Sequence, residues 1–217
     1  MTEISHDARW ARWHDQYAEL PALIARLSLV RQHLSKCLDL LPSGGIRVVS
    51  VCAGDGRDII AVLSRHIRSQ DVSGWLVEND PRVVESGLQE IEKAGLGHKL
   101  NYILDDASRS STYSKIAPTD VVLVAGVFGN LRGVEALKLI ERLPSLCKPE
   151  AFVVWTRHCT LNDGEAQLAM MSQRFAGNEF ESFNYELTPT ADFVVATHQY
   201  KGGPKTLIKD EKWFEFG

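Results

Sequence analysis

Apolar positions fall first at helical spacing and then, from Arg47 onward, in short β-branched runs separated by amphipathic stretches. Residues 2–16 read as a short helix carrying Trp10 and Trp13, with Tyr17 just beyond on a neighbouring face. Pro21 fits the first turn of a second helix. Its Leu23, Ile24, Leu27, Val30, Leu34, Leu38 and Leu41 recur every three to four positions, and Pro42-Ser43-Gly44-Gly45 ends it. The pattern then alternates. Strands are expected over 48–52, 74–78, 100–104, 121–124 and 151–156. Helices are expected over 58–68, 82–94, 133–143 and 164–176. Two further strands, over 180–187 and 193–199, suit a closing antiparallel hairpin, and residues 201–217 read as a tail or an edge strand.

Five strand–helix units in succession predict an α/β fold, a doubly wound, mostly parallel seven-stranded Rossmann-like sheet. Residues 1–45 form an N-terminal helical cap on the same domain, and 46–200 form the sheet domain. A chain of 217 residues with 44% hydrophobic content supports one sizeable core rather than two. The formal net charge of −4 argues against a nucleic-acid or anionic-membrane partner. The polar start does not read as a signal peptide, and no apolar run reaches about 18 residues. Cys37, Cys52, Cys147 and Cys159 lack metal-binding spacing and read as free thiols in a reducing cytoplasm. No metal site is expected, and the chain is expected to be a monomer or homodimer.

In such sheets ligands sit at the carboxyl ends of the strands, so whatever follows each strand is a site candidate. After the first strand comes Ala53-Gly54-Asp55-Gly56, whose glycines permit a sharp turn and close backbone approach. After the second comes Glu78, placed to accept hydrogen bonds from ribose hydroxyls. Asp105, Asp106 and Ala107 follow the third, Gly126-Val127-Phe128 the fourth, and Arg157-His158 the fifth. A nicotinamide dinucleotide requires a third glycine in the first turn, and Ile59 stands there instead. Asp55 and Asp58 would repel a pyrophosphate and suit a ligand with an ammonium group. An NAD-dependent oxidoreductase is therefore the weaker reading, and S-adenosylmethionine the stronger.

Val-Ser-Val-Cys-Ala-Gly-Asp-Gly-Arg-Asp, ending at Asp58, resembles the first motif of class I S-adenosylmethionine-dependent methyltransferases. Leu76 to Pro81 resembles their acidic second motif, Leu104 to Ala107 the third, and Asp120 to Phe128 the fourth. The resemblance implies that Ala53, Gly54, Asp55 and Gly56 line the methionine part of the cofactor and that Glu78 binds ribose. Asn79 would border the adenine, and Asp105 or Asp106, with Ala107, would hold the adenine edge. Gly126 and Val127 would flank the sulfonium. Cys52 stands where the family usually has glycine. Gly129-Asn130 together with Trp155 to His158 looks like a small, single-domain, actinobacterial-type subgroup.

Methyl transfer needs a nucleophile in line with the methyl group and an oriented, dry site. A base helps only when the nucleophile must lose a proton. His158 is the candidate base and Arg157 a candidate clamp for an anionic substrate, against the plainer reading of a surface pair or helix cap. Trp13, His14 and Tyr17 could form a lid, and Phe128 could touch substrate. No motif for amino-group methylation of bases follows the fourth strand, so the expected acceptor is a small molecule. A non-catalytic or non-methylating S-adenosylmethionine binder is the remaining alternative.

Overall fold

A computed structural model describes residues 20–159 and 164–217. Among these residues seven strands form one sheet: β1 (Ile46–Val51), β2 (Val72–Glu78), β3 (Leu100–Leu104), β4 (Thr119–Val124), β5 (Cys147–His158), β6 (Phe180–Leu187) and β7 (Phe193–Tyr200). Their spatial order is β3-β2-β1-β4-β5-β7-β6. β1 to β5 are mutually parallel, and β7 runs antiparallel between β5 and β6. This is the doubly wound sheet with a closing hairpin that the alternating pattern predicts.

Side-chain parity along the strands builds two cores. Val48, Leu76, Val121, Leu123 and Val154 face one way and pack with α1 (Pro21–Leu40), α2 (Arg57–Leu63) and α3 (Pro81–Lys93). Val49, Val51, Val77, Val122, Val124 and Trp155 face the other way and pack with α4 (Gly133–Arg142) and α5 (Gly164–Gly177). Such two-sided burial explains why β1 and β4 read as unbroken apolar runs rather than alternating ones. Each fully buried valine stabilises the fold by about 1.5–3 kcal/mol. α1 is also tied to the hairpin by a buried hydrogen bond between His33 Nδ1 and Thr197 Oγ1 at 2.8 Å.

Three local differences from the sequence pattern have physical causes. The helix expected over 58–68 ends at Leu63, and a 3₁₀ turn follows over Ile67–Asp71. The His66 ring accepts from the Arg68 amide at the start of that turn. The Arg68 guanidinium is drawn to the carbonyls of Leu38, in the last turn of α1, and of Leu41 and Pro42 just beyond it. Ile67, which fits a helical stripe, is thereby left 90% exposed. β5 begins at Cys147, four residues before the expected start, because its pairing with β4 shifts register between Thr119 and Val121, and Glu150 takes φ +66°. The segment after β7 adds no strand to the sheet. It folds back through two isolated bridges, Arg109 with Lys212 and Leu131 with Phe216. Among the described residues no helix is long and apolar enough to cross a membrane. The helix expected over 2–16, with Trp13, His14 and Tyr17, lies outside the described residues.

Candidate active site

The strand order reverses between β1 and β4, which opens a crevice at their carboxyl ends. A cavity of about 300 Å³ lies there, within the range of small-ligand sites.

The chain leaves β1 through three residues in the left-handed region: Cys52, Gly54 and Gly56, with φ of +50°, +59° and +70°. For the cysteine this costs about 1–2 kcal/mol. Its thiol packs against the core, and burial pushes its pKa above the ordinary range. Gly56 caps α2 and must lack a side chain: a Cβ there would lie 2.5 Å from Leu76 Cδ2 and 3.1 Å from Tyr102 Oη. Tyr102, on β3, donates from its hydroxyl to the Gly54 carbonyl at 2.9 Å. Gly87 of α3 makes room for that ring, since a Cβ at Gly87 would lie 2.0 Å from Tyr102 Oη. A glycine capping α2 and a glycine within α3 thus seat the tyrosine that anchors the turn.

Glu78 closes the turn from the β2 side. Its Oε2 accepts from the Gly54 amide at 2.9 Å, and its Oε1 accepts from the amides of Asn79 at 2.8 Å and Asp80 at 3.1 Å. Three backbone donors fix the carboxylate while leaving lone pairs toward the cavity. Asp80 caps α3 by accepting from the Arg82 amide at 2.9 Å.

Asp55 is bidentate with Arg57 at 2.6–3.0 Å, which neutralises this turn acid. Asp58 is different. It is 8% exposed, accepts from the Ile59 amide at 2.7 Å, and has its pKa raised, chiefly by burial. Arg26 of α1, 4% exposed, faces the same cavity with its pKa lowered to about 10 by burial, an effect opposed by Asp58. A buried guanidinium and a buried carboxyl group therefore both line the cavity.

The two aspartates after β3 part company. Asp105 accepts from the Asp106 amide at 2.7 Å and the Thr112 hydroxyl at 3.0 Å, and is not on the cavity wall. Asp106 lines the cavity and accepts from the Ser108 amide at 2.8 Å. After β4, Gly126 takes φ +79° and is held from both sides. Its amide donates to Thr156 Oγ1 at 2.8 Å, and its carbonyl accepts from Asn130 Nδ2 at 2.6 Å. That grip physically links the Asn130 stretch to the Thr156 stretch.

Of the expected residues, Ala53, Gly54, Asp55, Glu78, Asn79, Asp106, Ala107, Gly126 and Val127 meet on this cavity. Gly56, at the start of α2, is not on the cavity wall, contrary to the expectation for it. Arg157, His158 and Phe128 do not line it. Arg157, 9% exposed, donates to the Phe128 carbonyl and to Gln167 Oε1. It pins the β4 loop to α5 rather than facing a substrate. Phe128 is fully buried, edge-on to Trp155 and Phe175. His158 lies edge-on to Phe193 at 4.7 Å. The cavity also takes in Arg26, Leu27 and Val30 of α1, and Lys212, Phe214, Glu215 and Phe216 from the segment after β7. Periodicity marked Leu27 and Val30 only as core. Nothing local distinguished the segment after β7 from an ordinary tail. Among the described residues no group of three or more His, Cys, Asp or Glu could hold a metal ion.

No protein-family model matches the chain, and no curated protein matches it in sequence. Solved structures do match in fold. Magnesium protoporphyrin IX methyltransferase (ChlM) from Synechocystis PCC 6803, with bound SAM, superposes with TM-score 0.69 at 14% identity, covering 89% of this chain and 91% of that one. An O-methyltransferase family protein from Burkholderia thailandensis gives 0.60 at 17% identity, covering 91% and 63%. The (4+2)-cyclase SpnF gives 0.58 at 12% identity, covering 79% and 83%. The chain has the Rossmann-like fold of class I S-adenosylmethionine-dependent methyltransferases.

Proposed function

We propose that the cavity binds S-adenosylmethionine and that the protein transfers its methyl group to a small-molecule acceptor. The carrying observation is the Glu78 carboxylate, fixed by three backbone amides beside the left-handed Gly54 turn and aimed at a cavity that also holds buried Asp58. Glu78 would take the ribose hydroxyls, and Asp106 with Ala107 and Asn79 the adenine. Asp58 would take the methionine ammonium and Arg26 its carboxylate, while Gly126 and Val127 flank the sulfonium. Ile59 is buried in the core beneath the turn, filling the space where a dinucleotide fold needs its third glycine.

When bound, the cofactor supplies an electrophilic methyl on a positively charged sulfur. The chain's part is to orient both reactants and exclude water. Ala125, Val127, Leu27, Val30, Phe214 and Phe216 give an apolar surround. Among the described residues no histidine lines the cavity. The four free thiols suit a reducing compartment such as the cytoplasm. The small actinobacterial-type subgroup stays our reading of the Asn130 and Thr156 stretches, and a monomer or homodimer our reading of the assembly.

Thermal-shift titration with S-adenosylhomocysteine and with NAD is the first test. Stabilisation by the former alone is expected, and stabilisation by NAD alone would overturn the reading. Labelled-methyl transfer to a panel of small acceptors, read by mass, then separates an enzyme from a non-methylating binder.

A further inference from the structure

Residues 211–216 do more than cover the sheet. They run from the loop after β3 to the start of α4, along the cavity. At the first end the Ser110 amide donates to the Glu211 carbonyl at 3.0 Å, and the Glu211 amide donates to Ser110 Oγ at 2.9 Å. Glu211 also pairs with Arg142 at 2.6 Å. At the far end the Glu215 amide donates to Glu135 Oε2 at 3.1 Å, and Phe216 bridges to Leu131. Lys212, Phe214, Glu215 and Phe216 all line the cavity between.

Trp213 is the residue of this run that turns inward. Only 2% exposed, it lies flat on Tyr113, with centroids 4.9 Å apart and planes 7° apart. The Tyr113 hydroxyl donates to the Ala107 carbonyl at 2.7 Å, and the Trp213 amide donates to the Ser108 carbonyl at 2.8 Å. The Ser108 amide in turn donates to the Asp106 carboxylate. Trp213 therefore reaches the three residues 106–108 that form the cavity wall after β3 by two routes, its indole through Tyr113 to Ala107 and its backbone amide directly to Ser108.

We infer that Trp213 is a positioning residue for the adenosine half of the ligand, and that the segment after β7 is part of the binding site, with Phe214 and Phe216 as its inner wall. The inference rests on the cofactor reading above. The held carbonyls of 107 and 108 fix the backbone whose Ser108 amide orients the Asp106 carboxylate, and a wall that must meet a planar base loses affinity when it drifts by about 1 Å. An aromatic stack of this kind accounts for a factor of about 2 to 12 in an equilibrium constant.

The test compares Trp213→Ala, Trp213→Phe and a control, Phe180→Leu, which loosens the core at the far end of the hairpin. S-adenosylhomocysteine and free adenosine are titrated calorimetrically into each, and the unfolding temperature is measured without ligand. Trp213→Ala should weaken both ligands by about tenfold, and Trp213→Phe should restore binding to within about threefold. Phe180→Leu should lower the unfolding temperature without moving either affinity. If Trp213→Ala binds both ligands as tightly as the wild type, or loses no more than Phe180→Leu does, the inference is wrong. If the wild type itself binds neither ligand, the cofactor reading fails instead. Should Trp213→Ala not fold, Tyr113→Phe, which removes only the hydroxyl held at Ala107, must weaken both ligands, and unchanged binding there overturns the inference.

Discussion

Gly87→Ala sets two physical effects against each other. Gly87 lies within α3, where alanine is favoured over glycine by about 1 kcal/mol. On propensity alone the variant should be more stable. Its Cβ, however, would lie 2.0 Å from Tyr102 Oη, 2.5 Å from Cζ and 2.7 Å from Cε2. The ring must move, and on its other side it meets the space over Gly56. Overpacking of this kind costs about 1–3 kcal/mol, and breaking the hydroxyl bond to the Gly54 carbonyl costs about 0.5–1.5 kcal/mol more. The expected net loss is about 1–3 kcal/mol, or roughly 2–12 °C in unfolding temperature for a chain of this size. Because the displaced hydroxyl releases the Gly54 turn, S-adenosylhomocysteine affinity should fall by about tenfold, although Gly87 does not line the cavity. Tyr102→Phe isolates the hydrogen bond, and a double-mutant cycle with Gly87→Ala should be non-additive, the alanine being less harmful once the hydroxyl is gone. Urea unfolding and calorimetric titration on the four proteins settle the matter. A Gly87→Ala protein more stable than wild type with unchanged affinity would refute the wedge.

Glu78→Gln should behave almost as badly as Glu78→Ala, because both carboxylate oxygens face backbone donors and an amide must turn its NH₂ toward one of them. A loss of about 1–3 kcal/mol in ligand affinity is expected by calorimetry, and full retention would remove Glu78 from the site. Asp58 carries a raised pKa in the ligand-free protein. Its native form therefore holds a proton more tightly than the unfolded chain does, and stability falls as pH rises from its unfolded value to its folded one. Asp58→Asn should accordingly raise the neutral-pH stability of the free protein in denaturant titrations while weakening S-adenosylhomocysteine. Wild-type affinity should increase with pH through the raised pKa; a flat affinity profile would take the ammonium away from Asp58. Arg157→Met should destabilise by about 1.5–3 kcal/mol through the lost bonds to Phe128 and Gln167, with ligand affinity unchanged, and a selective loss of turnover would return Arg157 to catalysis.

The sheet and the loops at its carboxyl edge were legible in the sequence because their signals are local. Two-sided burial writes itself as unbroken runs at 48–51 and 121–124. Turns that need left-handed backbone show as Gly54, Gly56 and Gly126. A carboxylate at the end of β2 keeps its place whatever packs around it. Tertiary structure alone decided the rest, since it depends on residues far apart in the chain. Asp105 and Asp106 are indistinguishable in sequence, and a threonine seven residues on claims the first. Arg157 and His158 occupy a strand end, where ligands are expected, yet the arginine is turned to Phe128 and Gln167 and neither residue reaches the cavity. Gly87 looks like a helical weakness until Tyr102 is seen against it. Trp213 sits in a polar, glycine-bearing tail whose role appears only once 100 residues of intervening fold bring it onto Tyr113. Local backbone chemistry fixed the kind of turn that leaves β1; long-range packing chose which side chains line the cavity.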